Sequence, residues 1–96
     1  MSVVVSIPPS LRRYADKQAT VKVKADTVNG VVSELFGRYP GLEKRLVEER
    51  GPLTLSEIYV DDREIGAMDG MDTPTPDGAR VDIVAYVDDD PDAGAP

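Results

Sequence analysis

The two ends of this chain constrain its fold more than anything between them. Val3, Val5 and Ile7 alternate with Ser2, Val4 and Ser6 at the start, and Val81, Ile83, Ala85 and Val87 alternate with Arg80, Asp82, Val84 and Tyr86 near the finish. A period of two sends successive side chains to opposite faces, so both runs read as strands with an apolar inner face. Pro8-Pro9 cannot continue a ladder and closes the first run. Both strands are apolar enough to lie as central neighbours in one sheet. The long crossover between them, through a helix, makes that pairing parallel.

The intervening sequence supplies the remaining elements. Leu11 to Gln18 is polar and reads as a loop; Val21, Val23 and Ala25 then alternate with Thr20, Lys22 and Lys24, which predicts a second strand hairpinned to the first. Asp26-Thr27 can cap a helix in which Val28, Val31, Val32, Leu35 and Tyr39 share a face. Gly30 and Gly37 weaken that helix by about 1 kcal/mol each relative to alanine, and Pro40-Gly41 is expected to stop it. Leu42 and Leu46 define a short second helical segment ending at Gly51-Pro52. Ile58 and Val60 alternate with Glu57 and Tyr59, and Asp61-Asp62 offers turn chemistry before a short return strand, Arg63-Glu64-Ile65. Gly66 to Gly78, punctuated by glycine and proline, reads as a loop with at most one irregular turn. The order describes an α+β roll: a mixed sheet of about five strands with one main helix across one face. Val5, Val23, Val31, Leu35, Ile58, Val81 and Ile83 are expected in its core.

Ninety-six residues support one compact domain, here residues 1–87, followed by an acidic segment at 88–96. The chain has no cysteine and no histidine, which excludes disulfides, thiolate and imidazole catalysis, and Cys/His zinc sites. No constellation of nucleophile, base and oxyanion donors can be assembled from what remains, so the chain reads as neither an enzyme nor a holder of a metal or cofactor. Asp88, Asp89, Asp90 and Asp92 account for four of the seven net negative charges. An acidic chain repels phosphate backbones, which argues against nucleic acid or an anionic membrane as partner. The N-terminus lacks the basic region of a secretion signal, and no apolar run reaches membrane-spanning length; the expected location is the cytoplasm.

Three features could meet a partner. Tyr59, Val84 and Tyr86 belong to the outward sets of their strands and together would make an apolar patch on the sheet face opposite the helix. Asp88, Asp89 and Asp90 could dock in a basic groove, although their composition also fits a disordered, solubilising end. Arg12-Arg13-Tyr14 fits either a contact for an acidic partner or a solvated loop. The aspartate spacing after Val87 superficially matches a calcium loop, but Ala93 stands where the loop glycine belongs.

Tyr39-Pro40-Gly41-Leu42, Val60-Asp61-Asp62, and Gly70-Met71-Asp72-Thr73-Pro74 followed by Asp77-Gly78 resemble, in this order and spacing, the MoaD/ThiS family of ubiquitin-like sulfur carriers, in particular its MoaD-like branch. The likeness runs from about Ser2 to Val87. It implies a β-grasp fold and a C-terminal carboxylate that an E1-like enzyme adenylates and that is then converted to a thiocarboxylate. It also implies a sulfur-accepting enzyme serving molybdopterin, thiamine, cysteine or secondary-metabolite synthesis. The family's diglycine threads a narrow channel to reach ATP, for which residues without side chains are suited. This chain departs there: Asp89 and Asp90 stand where the glycines align. Loss of Ala95-Pro96 would expose Gly94 as a new terminus. A non-catalytic ubiquitin-like interaction module is the alternative reading. Thr75 and Ala79 also differ from the family's usual apolar and acidic residues beside the Asp-Gly turn.

Overall fold

The computed structural model of the protein describes residues 2–85. The first strand, β1 (Ser2–Ser6), pairs antiparallel with β2 (Thr20–Lys24), Val3 opposite Val23 and Val5 opposite Val21. β5 (Arg80–Ile83) lies against the other edge of β1 and runs parallel to it, Val5 opposite Val81. β3 (Ile58–Val60) and β4 (Arg63–Glu64) complete a five-stranded sheet in the order β2-β1-β5-β3-β4. The two apolar end strands are therefore the central parallel pair that their composition predicts.

Two helices connect the halves. Thr27 caps α1 (Val28–Arg38), its Oγ1 accepting from the Gly30 amide at 3.2 Å and so satisfying one of the donors a helix start leaves over. Val28, Val31 and Leu35 are buried against the inner face of the sheet. The helix does end at Arg38, but Pro40 opens a new one rather than closing the region: α2 (Pro40–Arg50) has Pro40 in its first turn. There the missing proline N–H is one that no intrahelical bond would have used, and its fixed φ suits the helix. Leu42 and Leu46 turn inward from α2 and are buried. Both expected helices are thus present, the second starting two residues earlier than expected and matching the first in length.

Other expectations need correction. Residues 9–14 form a 3-10 helix instead of a polar loop, with Leu11 buried, and Ala15 just beyond it is also buried; Arg13 is exposed and Arg12 half-buried. Gly66 to Gly78 holds a 3-10 turn at Gly70–Asp72 and the end of another at Ile65–Ala67. This segment is tied to the start of α1 by three backbone-directed bonds: Val28 N–H to Thr73 O (3.0 Å), Thr75 N–H to Asp26 O (2.8 Å), and Thr75 Oγ1 to Ala25 O (3.0 Å). Regular pairing in β5 stops at Ile83, short of the Val87 expected; Tyr86 and Val87 lie outside the described residues. All seven residues proposed for the core are buried.

Candidate functional site

The site is built on the outer face of the sheet, away from both helices. Register places Thr20, Ser6, Asp82, Tyr59 and Glu64 in one row across all five strands. In the neighbouring row, Lys22, Val4 and Arg80 line up across β2, β1 and β5. Because β1 and β5 are parallel, their C-terminal ends emerge side by side. There the chain after β1 turns away through Pro8 and Pro9, and the chain after β5 continues through Val84, whose amide donates to Glu57 O at 2.8 Å.

An open groove of about 450 Å³ lies at this end. Pro8, Pro9, Tyr59 and Val84 supply apolar surface over the buried Ile7 and Ala85, while Asp82, Asp62 and Arg12 supply charge. Tyr59 is half-buried, and Val84 is 47% exposed. The Asp82 carboxylate is only 18% exposed, and its Oδ1 accepts from Arg80 Nε at 3.0 Å; the Arg80 side chain is 63% exposed. Arg12 Nε donates to Ile7 O at 3.0 Å, pinning the guanidinium beside the turn after β1.

One wall depends on the hairpin between β3 and β4. Asp61 and Asp62 have φ of +49° and +70°, the left-handed backbone of a two-residue hairpin turn, which aspartate and asparagine tolerate better than other side-chain-bearing residues. Asp61 Oδ1 accepts from the Arg80 amide at 3.0 Å, and its own amide donates to Arg80 O at 2.9 Å. The turn is thereby locked to β5, with Asp62 at the groove.

Of the anticipated contact residues, the structure brings Tyr59 and Val84 together in this groove. Tyr86, Asp88, Asp89, Asp90 and Gly94 lie outside the described residues. Arg12 joins the groove as a member of the 3-10 helix. The sequence reading missed Asp82, Asp62, Pro8 and Pro9 as groove residues. The outward parity of Asp82 beside Val84 was a usable signal; the convergence of the two prolines with β5 was not visible in any single segment. Among the described residues, no group of three or more carboxylates is placed to hold a metal ion, and no helix is long and apolar enough to cross a membrane.

A mixed sheet in this order, with a parallel central pair and helices on one face, defines a ubiquitin-like β-grasp protein. Comparison with solved structures agrees. The fold superposes on Mycobacterium tuberculosis CysO with a TM-score of 0.72 and 35% identity, covering 88% of this chain and 99% of that one. A chain of the Amycolatopsis orientalis BexX/CysO complex gives 0.74 at 29% identity, covering 88% and 96%. The small archaeal modifier protein SAMP1 of Methanosarcina acetivorans shares the fold, with a TM-score of 0.72 at 21% identity over 93% of this chain and 96% of that one. No protein-family model matches. In sequence, the chain is 36% identical over 90 residues to the sulfur carrier protein CysO of M. tuberculosis, covering 91% of this chain and 97% of the relative. The chain belongs to the CysO family of sulfur carrier proteins, a member of the MoaD/ThiS-like group.

Proposed function

We propose that residues 1–87 are the docking body of a sulfur carrier, which presents the groove at Tyr59 and Val84 first to an E1-like adenylating enzyme and then to a sulfur-accepting enzyme. The body itself catalyses nothing and works in the cytoplasm. The observation that carries this reading is position: the groove lies where the chain leaves β5 at Val84 and Ala85, so an enzyme covering it would receive the following residues directly. Tyr86, Asp88, Asp89 and Asp90 extend the same contact.

In the chemistry the family resemblance implies, a C-terminal carboxylate oxygen attacks the α-phosphorus of ATP and pyrophosphate leaves. A sulfur nucleophile then attacks the acyl carbon, AMP departs, and a thiocarboxylate remains. This body supplies docking and orientation, and the residues that follow Val87 determine whether the terminus can reach the nucleotide. Asp89 and Asp90 bring negative charge and bulk toward ATP phosphates, where the family uses glycine. That observation favours a second reading, in which the chain is a non-catalytic ubiquitin-like interaction module.

Intact-mass spectrometry after incubation with ATP, a CysO-type activating enzyme and sulfide separates the two. The full chain is expected to form no acyl-adenylate or thiocarboxylate. A chain carrying Asp89→Gly and Asp90→Gly and ending at residue 90 is expected to gain the mass of sulfur replacing oxygen. If the repaired chain stays inert, the module reading replaces the carrier reading. Sulfur on the unaltered full chain would refute the role given to the two aspartates.

A further inference from the structure

The groove is not simply apolar, and its charges specify an occupant. Asp82 sits in the middle of the outer row, between Ser6 of β1 and Tyr59 of β3, and Asp62 stands at the same groove. Anything that covers Tyr59 and Val84 strips the remaining water from Asp82. A carboxylate losing its last hydration is costly where the partners it keeps leave it undersatisfied, and a cation on the covering surface offsets that cost. Arg80 engages Oδ1 through one N–H from a largely exposed side chain, a kind of contact that contributes little while solvated. Arg12, the guanidinium lining the groove, points its Nε at Ile7 O. An anionic or phosphorylated segment would meet two carboxylates against the one guanidinium of Arg12, and a wholly apolar one would bury Asp82 with no cation beyond the single N–H of Arg80.

We propose that the groove binds an extended partner segment bearing an arginine between apolar side chains, the guanidinium meeting Asp82 and Asp62 and the apolar side chains packing on Tyr59, Val84 and Pro8. Arginine fits better than lysine because its planar, weakly hydrated fork can engage a half-buried carboxylate through two parallel bonds. This inference rests on the docking face assigned above and adds the chemistry of what docks.

The test is an amide-resolved NMR titration of the full chain with acetyl-Leu-Arg-Leu-amide, against the same peptide with Gln or Glu in the middle. Saturable shifts at Tyr59, Asp82 and Val84 are expected, with the arginine peptide binding about tenfold more tightly than the glutamine peptide, the scale of one charge-assisted hydrogen bond. Asp82→Asn should erase that preference. Asp62→Asn, a change the left-handed turn accommodates, should reduce it while leaving the sheet intact. Lys24→Ala, at the far edge of the sheet, should leave it unchanged. Equal binding of the Arg and Gln peptides, shifts away from the groove, no binding, or a preference that survives Asp82→Asn would each overturn the proposal. The activation assay is independent: a repaired chain that acquires sulfur but ignores arginine peptides loses this inference and keeps the carrier reading. An inert repaired chain that selects arginine does the reverse.

Discussion

Gly30 and Gly37 look equivalent in the sequence, two glycines in one amphipathic helix, yet the structure assigns them opposite responses to alanine. Both lie within α1, where glycine costs backbone entropy that alanine does not. A Cβ built at Gly37 meets nothing within 4 Å, so Gly37→Ala should recover most of the helix-propensity difference, about 0.5 to 1 kcal/mol. A Cβ at Gly30 comes within 3.0 Å of the Ala25 Cβ and 3.6 Å of the Thr27 Oγ1 that caps the helix. Ala25 cannot swing away, because its methyl is fixed to a backbone whose carbonyl already accepts from Thr75. Gly30→Ala must therefore displace either the cap or the loop tied to it, and the steric cost cancels or exceeds the gain. Thermal unfolding of both variants decides the point. Gly37→Ala should raise the midpoint by roughly 2 to 8 °C for a domain of this size, and Gly30→Ala should leave it unchanged or lower it. Equal stabilisation by both would refute the claim that packing at Ala25 and Thr27 dictates a glycine.

Leu35, fully buried beneath the sheet, should lose about 2 to 5 kcal/mol on truncation to alanine, a large part of the roughly 5 to 15 kcal/mol available to such a domain. Val84→Ala on the exposed groove should cost under about 0.5 kcal/mol, and urea midpoints that fail to separate the two would show the inner and outer faces to be misassigned. Thr75 is 1% exposed, and its hydroxyl donates to Ala25 O. Thr75→Val should destabilise by about 1 to 3 kcal/mol through the loss of that bond and Thr75→Ser by less, whereas a more stable valine variant would refute the bond's importance.

The strands and the core were legible because each is written in a local period. Val3, Val5 and Ile7, or Val81, Ile83 and Ala85, announce an inner face without reference to the rest of the chain, and all six are buried. The misread segments are those where a residue's meaning depends on what lies on its other side. Pro40 does follow the end of one helix, as expected, but it also opens the next, so the second helix begins two residues before the Leu42 that announces it. Leu11 and Ala15 sit four residues apart around two arginines. The charges made the stretch look solvated, although one helical turn suffices to bury both apolar residues while Arg13 stays exposed and Arg12 half-buried. The groove is a further step from local pattern. Tyr59 and Val84 could be assigned to the outer face one strand at a time, but Asp82 becomes the middle of a site only through pairing with Ser6 on one side and Tyr59 on the other. Pro8 and Pro9 reach that site only because β1 and β5 run in the same direction and end together. Parallel pairing between the first and last strands of a chain is the longest-range contact the fold contains, and it decides which residues become neighbours at the exit of β5. The groove on the outer face is thus a property of topology more than of any motif, and a strand-end residue such as Asp82 enters it while looking, in sequence, like one polar position in an alternating strand.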